Sequence, residues 1–178
     1  ADLTASRTAL QAKITAIEAT DNAAQIAAND RDNKKEALRE RVRQFRAAVQ
    51  GFIPDSQYLQ AMPLQPGAKY SPWDVMKALD DMARLWATIN ATPPTGFTPP
   101  LKLQCGYLIA EFNVEVTAMR AAYAAVESSG QNALIAREIR NQGMGPLRTR
   151  LVQYRLAVMA NYTKGHAMIE SLPKLYKR

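Results

Sequence analysis

The segment Leu38-Arg39-Glu40-Arg41-Val42-Arg43-Gln44-Phe45-Arg46 recurs as Leu147-Arg148-Thr149-Arg150-Leu151-Val152-Gln153-Tyr154-Arg155, an offset of 109. Extended without gaps, this offset places residues 9–53 over 118–162 with 15 identities in 45 positions. They include Ala12/Ala121, Glu18/Glu127, Ile26/Ile135, Arg31/Arg140 and Val49/Val158. Ile17/Val126 and Phe45/Tyr154 are conservative pairs. Shared alanines inflate the score, but the Leu-Arg-x-Arg and Gln-aromatic-Arg pairings are hard to obtain by chance. Two copies so far apart do not make a solenoid, which stacks shorter and more numerous units. They imply pseudo-two-fold symmetry inside one domain of residues 1–178.

Each copy carries one heptad register. The first runs Leu10, Ile14, Ile17, Asp21, Ala24, Ala28, Arg31, Lys35, Leu38, Val42, Phe45, Val49. The second runs Met119, Tyr123, Val126, Gly130, Ala133, Arg137, Arg140, Met144, Leu147, Leu151, Tyr154, Val158. Alternating steps of four and three make a coiled-coil-like seam, apolar at its ends and small or charged at its centre. That centre coincides with break signals in both copies: Asn29-Asp30-Arg31-Asp32-Asn33, and Asn141-Gln142-Gly143-Met144-Gly145-Pro146. Residues 29–35 and 141–146 are therefore either kinks in one long helix or turns of a hairpin. A preserved phase favours the continuous, kinked helix. A helix of 45 residues would be about 68 Å long. The expected fold is all-α, an elongated helical bundle of two long pseudo-symmetric helices plus a middle helix.

That middle helix, at about 72–90, begins at Ser71-Pro72-Trp73-Asp74. Ser71 caps, Pro72 suits the first helical position and Asp74 completes the box spacing. Val75, Met76, Leu79, Met82, Leu85, Trp86 and Ile89 form a wide apolar stripe, with Trp73 and Trp86 expected as core anchors. Residues 52–70 are Pro- and Gly-punctuated, with a short turn expected around Ser56–Gln60. The loop from Thr92 to Pro100 returns the chain to the second copy, which should become helical near Gly106.

Charge repeats as well. The net charge is +7. Residues 1–30 and 107–136 each sum to −2, whereas 31–50 sum to +4 and 137–178 to +7. Antiparallel packing would set the acidic half of one copy beside the basic half of the other. Arg39, Arg41, Arg43 and Arg46 in the first copy, with Arg148, Arg150 and Arg155 in the second, are the candidate phosphate- or partner-binding residues. Guanidinium groups suit phosphate and carboxylate, and such a helix face could hold a duplex backbone without reading sequence. The competing reading is that interleaved acids such as Glu36 and Glu40 neutralise them. The terminal Lys174-Leu175-Tyr176-Lys177-Arg178 is a basic tail, most simply solvated.

Chemistry is sparsely encoded. A di-metal carboxylate bundle needs two Glu-x-x-His pairs, and only His166 exists, read as a surface or capping residue. No base organises Ser128, Ser129 or Ser171, and no phosphate-binding Gly-Lys-Thr loop occurs. Asn29–Asn33 lacks the Gly and bidentate Glu of a calcium loop. Cys105 alone makes no disulfide within the chain and no Cys-rich zinc site, and is expected buried or half-buried. One Cys and one His fit a reducing, cytoplasmic setting. A start at Ala1 also fits a removed signal peptide or a trimmed chain. No stretch approaches the length of a membrane span. The expectation is a non-enzymatic structural or interaction protein without cofactor or metal, self-associating or binding another helical protein. The alternative is sequence-independent nucleic-acid binding. A third reading, a small-molecule carrier, would need an apolar pocket near Trp86.

Overall fold

The computed structural model describes residues 3–54, 57–65, 67 and 69–172. It is all-helical, with no strand among those residues. The order is α1 (Leu3–Phe52), α2 (Pro72–Ala91), α3 (Ile109–Asn161) and α4 (Ala167–Glu170), with 3-10 turns at Gln57–Leu59 and Gln104–Gly106. Neither long segment folds back as a hairpin: α1 and α3 are each one continuous helix.

The break signals fail for local reasons. In α1, Asp30 pairs with Lys34, Gln25 donates to Asn29, and Arg31 pairs with Asp32 at 2.7 Å. These side chains are engaged with helical neighbours and do not compete for the backbone. In α3, Gln142 donates to Glu138 and Asn141 accepts from Arg140. Pro146 lies inside the helix. It lacks the N–H that the Gln142 carbonyl would accept. Gly145 precedes it, and without a Cβ it escapes part of the clash a proline imposes on its predecessor.

Chain packing divides into two compact units, each described by itself. The first comprises residues 24–129. Its core takes Leu38, Val42, Phe45 and Val49 from α1, Val75, Leu79, Met82, Trp86 and Ile89 from α2, and Phe112, Val116 and Met119 from α3. Each large apolar side chain taken from water there contributes about 1.5–3 kcal/mol. Trp86 is the hub. Its ring lies 5.3 Å from Phe45, 5.9 Å from Phe112 and 6.3 Å from Tyr107, and its indole N–H donates to the Leu101 carbonyl at 3.1 Å. Trp86–Phe112 and Asp80–Arg120 contacts make α2 antiparallel to α3. The start of α2 is capped as expected, with the Asp74 N–H donating to Ser71 Oγ at 3.1 Å.

Trp73 is a correction: it is 69% exposed and no core anchor. It stands two residues before buried Val75, about 200° round the helix and so on the opposite side. Cys105 is a second correction, being exposed in the Gln104–Gly106 turn with φ of 59°. The residues flanking that turn, Leu103 and Tyr107, are the ones that point inward.

The other unit joins residues up to Ala23 with those from Gly130 onward. Here α1 and α3 run antiparallel. Ser6 meets Arg150, Lys13 meets the Ile139 carbonyl, and Asp21 meets Arg137 at 2.8 Å. Buried Ile17, Ala133 and Val158, with half-buried Leu10, Ile14, Leu147 and Leu151, form its apolar contact line.

Every seam position expected in α1 is buried or half-buried. A flanking line one residue before alternate seam positions, from Ser6 through Lys13, Thr20, Ala27, Lys34 and Arg41 to Ala48, is half-buried too. In α3 the seam departs from expectation at Arg137, Met144 and Tyr154, which are exposed. Ala136 and Gly143 turn inward in place of the first two. Small residues permit close helix approach there, whereas Arg137 and Met144 are too large for it.

Candidate functional site

The seven candidate arginines fall into two groups, one in each unit. In the first, Arg39, Arg43 and Arg46 are spaced four and three apart and share one face of α1, while Arg41 points to another. Arg39 pairs with Glu36 at 2.7 Å. Arg43 grips Glu40 through two bonds of 2.5 and 2.7 Å. The Arg43 hydrogen bond holds the Glu40 carboxyl down to about 2, and Glu40 in turn raises Arg43. Arg46 donates to the Pro63 carbonyl at 2.8 Å, which ties the following loop to α1. These groups are engaged by the chain's own acceptors.

Arg41 has a structural setting. It stacks over the Tyr107 ring at 4.0 Å and lies 3.8 Å from Glu115 on α3. Burial, and then the Glu115 carboxylate, push the Tyr107 phenol well above its ordinary range, with Arg41 opposing them. This places a half-buried cation, a phenol and a carboxylate at the joint between two helices. Tyr107 is buried, while Arg41 and Glu115 are half-buried.

In the second group Arg150 donates to Ser6 Oγ at 2.6 Å. Arg148 and Arg150 are exposed and Arg155 is half-buried. The stretch 139–162 carries Arg140, Arg148, Arg150 and Arg155 and no Asp or Glu. The charge contrast between the two groups is therefore local: Glu36 and Glu40 interleave the first, and nothing interleaves the second.

Sequence reasoning missed Lys13. Its ammonium reaches Ile139 and Gly143 of α3, more than a hundred residues away, so no local motif marks it. The signal available was its place in the flanking heptad line with Ser6 and Thr20. A different surface was also missed. Val152, Leu156 and Met159 are 40%, 61% and 52% exposed on the last turns of α3. Steps of four and three place them on one face, away from buried Val158.

His166 caps α4, its Nδ1 accepting from the Met168 N–H at 3.2 Å, and its ring lies 4.5 Å from Tyr162. Among the described residues no group of three or more His, Cys, Asp or Glu is disposed to hold a metal ion. No helix among them is long and apolar enough to cross a membrane. Trp86 is enclosed by three aromatic neighbours and is a core residue, not the wall of a ligand pocket. The basic C-terminal residues Lys174, Lys177 and Arg178 lie outside the described residues. No protein-family model, curated protein or solved structure matches this chain.

Proposed function

We propose that this chain is a non-enzymatic interaction protein, a helical bundle of two duplicated long helices that associates with further copies of itself. The observation that carries this reading is the exposed Val152, Leu156 and Met159 face. The same turns of α3 already use Leu151 and Val158 on their inner side. A helix that is apolar on two sides is normally covered on both. The internal repeat supports the pseudo-symmetric part of the reading. Arginines held by the chain's own acceptors support a structural role for that face of α1.

Sedimentation equilibrium over a range of concentrations tests it. Reversible association is expected, and Leu156→Glu should weaken it by placing a charge in the covered face. A compact monomer at high concentration would sink the proposal.

A second reading, sequence-independent nucleic-acid binding, is favoured by the acid-free Arg-rich stretch 139–162. It expects binding to duplex at about 50 mM salt that weakens steeply towards about 200 mM. Absence of binding at the lower salt, or no change between the two, removes it.

A further inference from the structure

Within the unit that joins residues up to Ala23 with those from Gly130 onward, a cleft of about 160 Å³ opens between α1 and α3. Leu10, Pro146 and Leu147 supply its apolar lining, and Ser6, Lys13 and Arg150 its polar groups. Its volume is well above the roughly 10–15 Å³ that one water needs. Lys13 Nζ donates to the Ile139 carbonyl at 3.3 Å, and Arg150 donates to Ser6 Oγ at 2.6 Å. Both acceptors are uncharged. Among the described residues, neither cation has a carboxylate within ion-pair distance.

The two stretches that line the cleft carry cations only, although Glu18, Asp21 and Glu138 lie just beyond them. Residues 3–17 carry Arg7 and Lys13 with no acid, facing the acid-free 139–162. Six cations in the two stretches raise the local potential and draw in anions. Gly143 is what admits Lys13: a Cβ there would stand 2.6 Å from Nζ. A planar guanidinium and an ammonium lining one cleft are the donors that an oxyanion takes.

We propose that this cleft binds a phosphate group, with Lys13 and Arg150 as its charged donors. The site is independent of the self-association reading. Its ligand is either a free phosphate or a phosphate of a polymer backbone, and two probes separate these sources.

The test is a titration of the ¹⁵N-labelled chain with potassium phosphate, against potassium chloride at matched ionic strength. Saturable shifts at Ser6, Lys13, Gly143 and Arg150 are expected with phosphate alone. Lys13→Gln and Arg150→Gln should each weaken binding about tenfold, the effect of one lost charge-assisted hydrogen bond. Gly143→Ala should also weaken it by displacing Lys13, although alanine raises helix propensity. A melting temperature no lower than that of the parent separates loss of the site from loss of fold. A short DNA duplex serves as the second probe. If the duplex alone binds, and the same variants weaken it, the phosphate belongs to a polymer and the site stands. Equal shifts in phosphate and chloride together with no duplex binding, or affinities unchanged in Lys13→Gln and Arg150→Gln for whichever probe binds, overturn it.

Discussion

Trp73 and Trp86 occupy one helix and are asked to do different things. Trp86 is sealed by Phe45, Tyr107 and Phe112, so Trp86→Ala should remove about 3–5 kcal/mol of stability in urea unfolding. Trp73→Ala, at an exposed position, should change it by no more than about 0.5 kcal/mol. The stripe containing Trp86 was legible from spacing alone. For Trp73 residue type suggests an anchor, but its angular position on α2 places it outward. Titration gives two further residue-level expectations. The Glu40 carboxyl is held down to about 2 in the folded chain, so its pairing with Arg43 favours the fold fully above the ordinary value of 4.5. That contribution fades as pH falls from there through about 2, and is absent in Arg43→Gln. Carboxyl-detected NMR of Glu40 checks it directly. Tyr107 has the opposite sense. Its phenol is raised in the folded state, so the unfolded chain gives up the proton first and stability falls as pH rises above about 10. Tyr107→Phe should flatten that alkaline decline in thermal melts.

At the scale of the element, α1 was almost fully readable. Its heptad phase survives Asn29–Asn33 because Asn29, Asp30, Arg31 and Asp32 find partners within one helical turn. α3 was readable as a helix, and its inner line was readable except at Arg137, Met144 and Tyr154. The phase that places Arg137 and Met144 inward assumes that large residues fill the seam, whereas Ala136 and Gly143 take those places. Which line wins depends on what stands opposite, and Lys13 opposite Gly143 has no signature in α3 itself. Glycine and proline in α3 are also its weakest points. Pro146→Ala restores a backbone donor and should raise stability by up to about 3 kcal/mol. Gly130→Ala, whose Cβ would meet nothing within 4 Å, should add about 0.5–1 kcal/mol. Chemical denaturation of the two variants and their combination measures both effects.

At the scale of the molecule, composition and repeat were sufficient for the helical class, while the division into two units was not legible. No change in composition marks Ala23 or Gly130, because both long helices pass through those positions uninterrupted. The candidate arginines were legible as residues, but their different environments depend on which neighbours carry acids. The division also sets an order of events on the ribosome. Residues 24–129 are one continuous stretch and can acquire their core as soon as they emerge. The residues before them cannot: Ser6, Lys13 and Asp21 find their contacts at Arg150, Ile139 and Arg137. At about 5–20 residues per second, the first turns of α1 wait roughly 6–30 s for a partner still being translated. Through that interval Leu10, Ile14 and Ile17 have no α3 to pack against, which makes the first turns of α1 later to reach their native packing than residues 24–129.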